Sequence, residues 1–238
     1  KLITPKQKQL INLFGNYKIG ENSSIGAEMG ISRNDINRFS DIDNGDNNGT
    51  AFLLKHQQNN PLSEGSNWKI STLFSAEYKQ DNFVALNPYR AQEFSRIWSL
   101  DQSLEQYNEL LGTASTKLSF KNKFELLYQY NHFSQFENYE GNKNFVSLKW
   151  DDKNWNILAS TDLLNSESKL LSSKFYIPSF AINNKHGEDD WTYGAYYNKD
   201  QNKRIQLADD LVEDLSFQFE RMGVYVGKRI TEKLESEF

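Results

Sequence analysis

The chain contains no cysteine and only four prolines among its 238 residues. The absence of cysteine excludes disulfides, thiolate metal sites and a cysteine nucleophile. No run of eighteen apolar residues occurs either, so a transmembrane helix is excluded, although a membrane-crossing strand needs only about ten residues. Residues 1–9 are polar and include Pro5, which is not the pattern of a signal peptide.

Apolar residues are also scarce, at 37% of the chain, whereas aromatic residues are abundant at 14%. This combination suits a folded sheet with one apolar face, because disordered chains of similar polarity are poor in aromatics. The net charge of −5 argues against nucleic acid as a partner, since neutralising phosphates requires clustered Lys and Arg.

The dominant pattern is an alternation of apolar and polar residues with a period of two, which predicts β-strands. It is clearest over Trp68–Lys79, a run long enough for a tilted strand that crosses a membrane. Leu73 is the one exception to the alternation. We expect one face to be polar and the other to contact lipid through Trp68, Ile70, Phe74, Ala76 and Tyr78.

Similar patterns separated by short turns predict a series of hairpins. The pairs are residues 10–19 with 24–32, 113–120 with 124–133, 145–150 with 155–161, 191–197 with 205–207 across a turn at 198–203, and a last hairpin from about 215. Longer polar connections are predicted at 34–49, 57–67, 80–88 and 135–143. Alternation of short turns with long polar loops is typical of outer-membrane barrels. Residues 100–111 have helical spacing and form either a short helix or an irregular loop.

The sequence therefore predicts an all-β fold, an antiparallel up-and-down meander of long hairpins that is part of a transmembrane β-barrel. Residues 1–238 are expected to form a single barrel segment. The last residues begin a new strand near Leu234 and stop after a few positions, and an open edge in lipid leaves unpaired backbone groups. We therefore expect the chain to be a fragment of a longer polypeptide.

Three segments carry a family resemblance: NRFSDIDNGDNNG at 37–49, PYRAQEFSRIW at 88–98 and RITEKL at 229–234. Together they resemble large, mostly uncharacterised outer-membrane β-barrel proteins of Bacteroidota-type bacteria. The resemblance implies a β-barrel in the outer membrane of a Gram-negative cell, with membrane lipid and other envelope proteins as partners. It implies no catalytic residues.

Two groups of polar residues are candidate sites. Asp41, Asp43 and Asp46 have the alternate spacing of a calcium loop, but position 45 is Gly and no bidentate Glu follows at the expected distance. A solvated turn is the alternative, and no metal or other cofactor is expected. Arg90, Glu93 and Arg96 are predicted to lie on a strand, either as charges lining the barrel lumen or as cross-strand pairs.

Aromatic residues are predicted at strand ends. They are Trp68, Tyr78, Trp98, Trp150, Trp155 and Trp191. Such residues form the interfacial girdle of a barrel, the core of a soluble sheet, or a platform on which sugars stack. The three histidines share no ligand spacing, so a zinc site is not expected.

No hydrolase, phosphate-loop or dinucleotide motif occurs, and we expect no enzyme. The function predicted from the sequence is a barrel segment that acts as a pore, a secretion channel or a surface anchor. The alternative is a soluble, envelope-exposed β-sheet domain that binds glycans through its aromatic residues.

Overall fold

The computed structural model describes residues 5–39, 45–87, 89–100, 106–185 and 191–228. These residues form one sheet of eleven strands in which each strand pairs with the next along the chain. The strands are β1 Gln7–Lys18, β2 Ser23–Asp35, β3 Asn48–Pro61, β4 Trp68–Lys79, β5 Glu109–Phe120, β6 Phe124–Gln135, β7 Tyr139–Asp151, β8 Trp155–Ser168, β9 Leu171–Asn184, β10 Trp191–Gln206 and β11 Phe217–Lys228. The predicted all-β antiparallel meander is confirmed.

All ten pairings between neighbouring strands are antiparallel, and the register continues the alternation of the sequence across the sheet. Paired residues project to the same side, so each strand can be assigned two faces. We call the side that bears Trp68, Ile70 and Phe74, with every residue in register with them, the apolar face. The opposite side, which bears Lys69 and Ser75, is the polar face.

One short helix, α1 Phe94–Ile97, is the only helix among the described residues. The prediction of a strand around Arg90, Glu93 and Arg96 is therefore wrong. These residues lie in the connection between β4 and β5, where no neighbouring strand offers a ladder of backbone hydrogen bonds. Residues 100–111 were expected to form a short helix or an irregular loop. Of those described, residues 106–108 are irregular and β5 begins at Glu109, while residues 101–105 lie outside the described residues. No helix of the described chain is long and apolar enough to span a membrane.

The two ends of the sheet carry different connections. One end has the short connections 19–22, 62–67, 121–123 and 152–154. The other end has the long connections 36–47, 80–108 and 207–216, together with two tight turns at 136–138 and 169–170. The predicted contrast between short turns at one end and long loops at the other therefore holds only in part, because the second end also has tight turns. Residues 135–143 are not a long loop, because Glu137 adopts a left-handed conformation with φ 65° and lets β7 begin at Tyr139. Likewise, β3 continues to Pro61 inside the predicted connection 57–67.

Strand β10 is continuous through the predicted turn at residues 198–203. That segment is rich in Asn, Asp and Lys, a composition that favours turns. Residues 198–202 nevertheless pair with β11, and Asn198 and residues 201–203 also pair with β9. Because the pairing with β11 continues through residue 202, the polar composition of this segment does not mark a turn.

The buried apolar core lies on the polar face, near the end with the long connections. It consists of Trp98, Phe133, Tyr139, Leu164 and Phe175. Trp98 comes from the residues just after α1, and the other four come from β6, β7, β8 and β9. The core therefore forms where the connection between β4 and β5 packs against the sheet.

Candidate functional site

The five residues predicted to contact lipid share the apolar face. Phe74 is 53% exposed, although it lies in the middle of β4 with paired strands on both sides. Its partners in register are His56 on β3 and Ala114 on β5. Large apolar side chains exposed together on one face of a sheet mark an interaction surface.

Charge is distributed very unevenly between the two faces. Within the described strands β1, β3, β4, β5 and β6, the apolar face carries no Asp, Glu, Lys or Arg. The same strands carry nine such residues on the polar face: Lys8, Lys18, Lys55, Lys69, Glu77, Lys79, Glu109, Lys117 and Glu125. A sheet exposed to water on both faces has no reason to exclude charge from one of them.

On the remaining strands, the charged residues of the apolar face lie in the half of each strand that is nearer the long connections. Lys228, at the opposite end of β11, is the exception. These residues are Arg33, Asp35, Glu140, Glu167, Lys174, Lys199, Lys203 and Glu220. The charge-free part of the apolar face is therefore a continuous band that crosses all eleven strands.

Aromatic rings border this band at the end with the short connections. Trp68 lies 4.8 Å from Phe120 and 5.7 Å from Phe124, measured between ring centroids, and Phe124 lies 6.1 Å from Trp150. Further along the same end, Trp155 lies 5.6 Å from Tyr193. These rings belong to the apolar face of six strands, β4 to β8 and β10, so they form an aromatic border at this end of the sheet.

Tyrosines on the apolar face of β6 place their hydroxyl groups beside polar partners. The hydroxyl of Tyr128 donates to Oδ1 of Asn144 at 2.8 Å, and that of Tyr130 donates to Oδ1 of Asn142 at 2.6 Å. The rings remain exposed on the apolar side. An apolar ring with a satisfied hydroxyl is suited to the boundary between an apolar phase and water.

The polar face is covered near the long connections by part of the chain that joins β4 to β5. We call residues 80–87 and 89–100 the inward segment. The backbone N–H of Val84 donates to Oγ of the buried Ser32 on β2 at 3.0 Å. A side chain on Gly49 of β3 would overlap the backbone of Phe83, and one on Gly30 would lie 3.1 Å from the Phe83 ring. Both glycines thus allow the segment to approach the sheet closely.

Trp98 anchors the far end of the inward segment. It is 3% exposed, and its ring centroid lies 5.3 Å from that of Phe133, which is fully buried. The Tyr139 hydroxyl donates to the Trp98 carbonyl oxygen. Oγ of Ser99 donates to Oγ of Ser173 on β9 at 3.1 Å. Trp98 was predicted at a strand end, and this placement is wrong: it follows α1, which turns it onto the polar face and into the buried aromatic core.

Arg90 links the inward segment to two strands. Its Nη2 atom lies 2.7 Å from a carboxylate oxygen of Glu77 on β4 and 3.2 Å from one of Glu109 on β5. Lys79 also contacts Glu109, at 3.2 Å. The guanidinium of Arg90 stacks over the Phe94 ring at 4.5 Å. Of the three predicted charged residues, Arg90 is thus the one that bridges the polar face.

Glu93 and Arg96 pair with each other across one turn of α1. Both side chains are more than half exposed, and Arg96 also lies 3.9 Å from Asp200 on β10. A pair this exposed contributes little to stability because solvent screens it.

The candidate calcium loop lies largely outside the description. Asp41 and Asp43 are not among the described residues, and Asp46 is exposed in the turn before β3. Within the described ranges, no group of three or more His, Cys, Asp or Glu residues is placed to hold a metal ion. His56 on β3 contacts Ser23 and His132 on β6 contacts Asn142, each at 3.0 Å, and β4 and β5 lie between the two histidines.

The chain was compared with known families, proteins and structures. No protein-family model, no curated protein and no solved structure matches it.

The sequence did not identify the inward segment as a functional element. Its signal was present, however, in Phe83, which lies in a connection that was expected to be polar, and in Phe94 and Trp98, which follow that connection closely. Aromatic residues in a long loop indicate a loop that packs against something. Gly30 and Gly49 gave a second signal, because glycine inside a strand marks close approach of another backbone.

Proposed function

We propose that this chain forms part of the wall of an outer-membrane β-barrel, with its apolar face toward lipid and its polar face toward the interior. The observation that carries the proposal is the charge-free band on one face only. Arg or Lys at the middle of a bilayer costs roughly 2–4 kcal/mol, whereas a barrel interior tolerates charge. A soluble sheet has no such constraint on either face.

The dimensions of the band support this proposal. From Trp68 to Tyr78, the strand rises by roughly 3.3 Å per residue, or about 33 Å in all. A tilt of about 40°, which is usual for barrels, reduces this to a height of about 25 Å, the thickness of the apolar band of outer-membrane barrels. The aromatic border then lies at one interface, as an aromatic belt does.

The contacts of the inward segment also favour a closed wall. Arg90 contacts β4 and β5, and Arg96 reaches β10. A sheet that wraps around the segment accounts for contacts with strands so far apart in the strand order. In a meander of eleven strands, β1 and β11 run in the same direction, so closure with antiparallel pairs alone requires at least one further strand.

Large side chains on the two outermost strands are highly exposed, and a further strand paired at either edge would cover part of them. Phe14 of β1 is 78% exposed and Val224 of β11 is 84% exposed, and they lie on opposite faces. In this role the barrel serves as a pore, a secretion channel or a surface anchor, in contact with membrane lipid and other envelope proteins. The resemblance to barrel proteins of Bacteroidota-type bacteria supports the outer membrane of a Gram-negative cell as the location.

The test is a matched pair of lysine substitutions in the protein made by cells. Phe74→Lys places a charge in the centre of the band, and Ser75→Lys places the same charge on the polar face one residue away. We expect the first to abolish the folded form in the outer-membrane fraction and the second to retain it. Folded barrel is measured as a band whose mobility on an SDS gel shifts after boiling.

A wild-type protein that salt or urea releases from membranes, with no shift on boiling, would refute the proposal. So would equal assembly of both lysine variants. The soluble alternative predicts a fragment that folds in buffer without detergent. It also predicts that the tryptophan fluorescence changes when oligosaccharides are added.

A further inference from the structure

We infer that the inward segment closes the interior of the barrel, so that solutes do not diffuse freely through it while the segment is in place. The inference rests on the proposed function and deepens it, because it assigns a state to the interior that the barrel wall encloses. Its observations are independent of the apolar face, since all of them concern contacts on the polar face.

The segment is attached along its whole described length rather than at one point. Near its start, Val84 bonds to Ser32 on β2, and the backbone at Phe83 lies against Gly49 on β3. At its far end, Ser99 bonds to Ser173 on β9. A segment that contacts β2, β3 and β9 extends over the polar face and packs directly against it.

The space between the segment and the wall is filled on the side of β6 to β9. Phe133 is fully buried, Leu164 is 1% exposed and Trp98 is 3% exposed. Phe94 completes this packing with its ring 5.1 Å from that of Phe133, perpendicular to it. These contacts leave little free space between Trp98 and the wall in that sector.

The ion pairs of Arg90 are the contacts of the segment that a single substitution is expected to break. Arg90 neutralises Glu77 and Glu109, which lie on neighbouring strands of the same face. Without it, two carboxylates remain with Lys79 as the only described cation in contact with them. Like charges on adjacent strands repel, so the loss of Arg90 favours release of the segment at this point.

Arg96 provides a matched control in the same segment. It is exposed and pairs mainly with Glu93, which belongs to the segment itself. Removal of Arg96 therefore deletes the same charge without breaking the link to β4 and β5.

The experiment measures ion conductance of the full-length protein in planar bilayers. Wild type and Arg96→Ala are expected to conduct weakly, and Arg90→Ala is expected to conduct about fivefold more or better. Because the chain has no cysteine, a disulfide between Ser99→Cys and Ser173→Cys can be added to Arg90→Ala without competing thiols. The hydroxyl oxygens that these thiols replace lie 3.1 Å apart. Oxidation should return the conductance to the wild-type value, and reduction should raise it again.

A large steady conductance of the wild type would overturn the inference, and so would an Arg90→Ala barrel that conducts no better than wild type. If Arg90→Ala fails to assemble, replacing residues 82–106 by a tight turn gives the same comparison. Each variant is first tested for the mobility shift on boiling. A shift without the expected conductance refutes the closed interior alone, whereas absence of the shift in wild type refutes the barrel.

Discussion

The two faces of the sheet solve different physical problems with the same strands. The apolar face excludes charge from a continuous band but leaves large side chains such as Phe74 exposed. The polar face accepts charge on nearly every strand, yet it contains the whole buried apolar core, built around Trp98. The character of the apolar face therefore follows from the alternation along each strand, whereas burial on the polar face depends on the inward segment that packs against it.

This contrast shows that burial and hydropathy measure different things in this protein. In a soluble sheet, the apolar face is the buried one. Here the side that is apolar in sequence is exposed, and the side that is polar in sequence is buried near the long connections. Under the proposed function, lipid covers the apolar face and the inward segment covers part of the polar face.

The largest difference in stability between the two faces is expected when one tryptophan on each face is replaced by alanine. Trp98→Ala removes a buried ring from the centre of the polar-face core, which costs about 3–5 kcal/mol of the free energy of unfolding. Trp150→Ala removes a ring that is largely exposed on the apolar face, which costs about 1 kcal/mol through its contact with Phe124. The measurement is urea unfolding of both variants in the same detergent. Equal losses would mean that the polar-face core does not stabilise the fold as its burial indicates.

A smaller effect is expected from glycines on opposite faces. Gly49→Ala places a methyl group against the backbone at Phe83, and shifting that backbone costs roughly 1–3 kcal/mol. Gly15→Ala on the apolar face of β1 meets nothing within 4 Å and should be neutral or slightly stabilising, since alanine loses less entropy on folding. Unfolding midpoints of the two variants test this. If both behave alike, the inward segment is not held against β3.

The sequence predicted the strands well where their alternation was local. The faces of Trp68–Lys79 follow directly from a period of two, and the hairpins around residues 121–123 and 152–154 were placed correctly because short turns fix the register. Strand β9 escaped notice because Pro178 interrupts the pattern. In the structure, the pairing with β10 is broken beside Pro178, between the pairs Ser179–Asn198 and Tyr176–Gln201, which accommodates its missing N–H.

The inward segment could not be predicted from local patterns. The side of the sheet that Trp98 and Arg90 contact depends on α1 and on partners in β4 to β9 that are distant in the sequence. The charged residues near Arg90 were read as a strand, because alternation within the segment resembles that of the true strands. Only the tertiary contacts distinguish a segment that extends the sheet from one that packs on it.

The smallest effect concerns the turn that supports the aromatic border of the apolar face. Oδ1 of Asp152 accepts the backbone N–H groups of Trp155 and Asn154 at 2.8 Å, and the other carboxylate oxygen accepts Nε1–H of Trp150 at 3.3 Å. The hydrogen bonds from the backbone of Trp155 and Asn154 hold the pKa of Asp152 below its ordinary value. A carboxyl whose pKa is lowered by folding stabilises the fold above its ordinary pKa and loses this contribution as the pH falls through the lowered value.

We therefore expect the difference in stability between wild type and Asp152→Asn to be present at neutral pH. It should disappear as the pH falls below the ordinary pKa of aspartate, about 3.9, and through the lowered pKa of Asp152. Asparagine keeps an oxygen that can accept the two backbone hydrogen bonds but carries no charge to titrate. The measurement is the unfolding midpoint of both proteins at several pH values, together with the emission maximum of the tryptophans. A difference that persists unchanged into acid would mean that the charge of Asp152 does not hold the turn. In that case the border on the apolar face depends on ring packing alone.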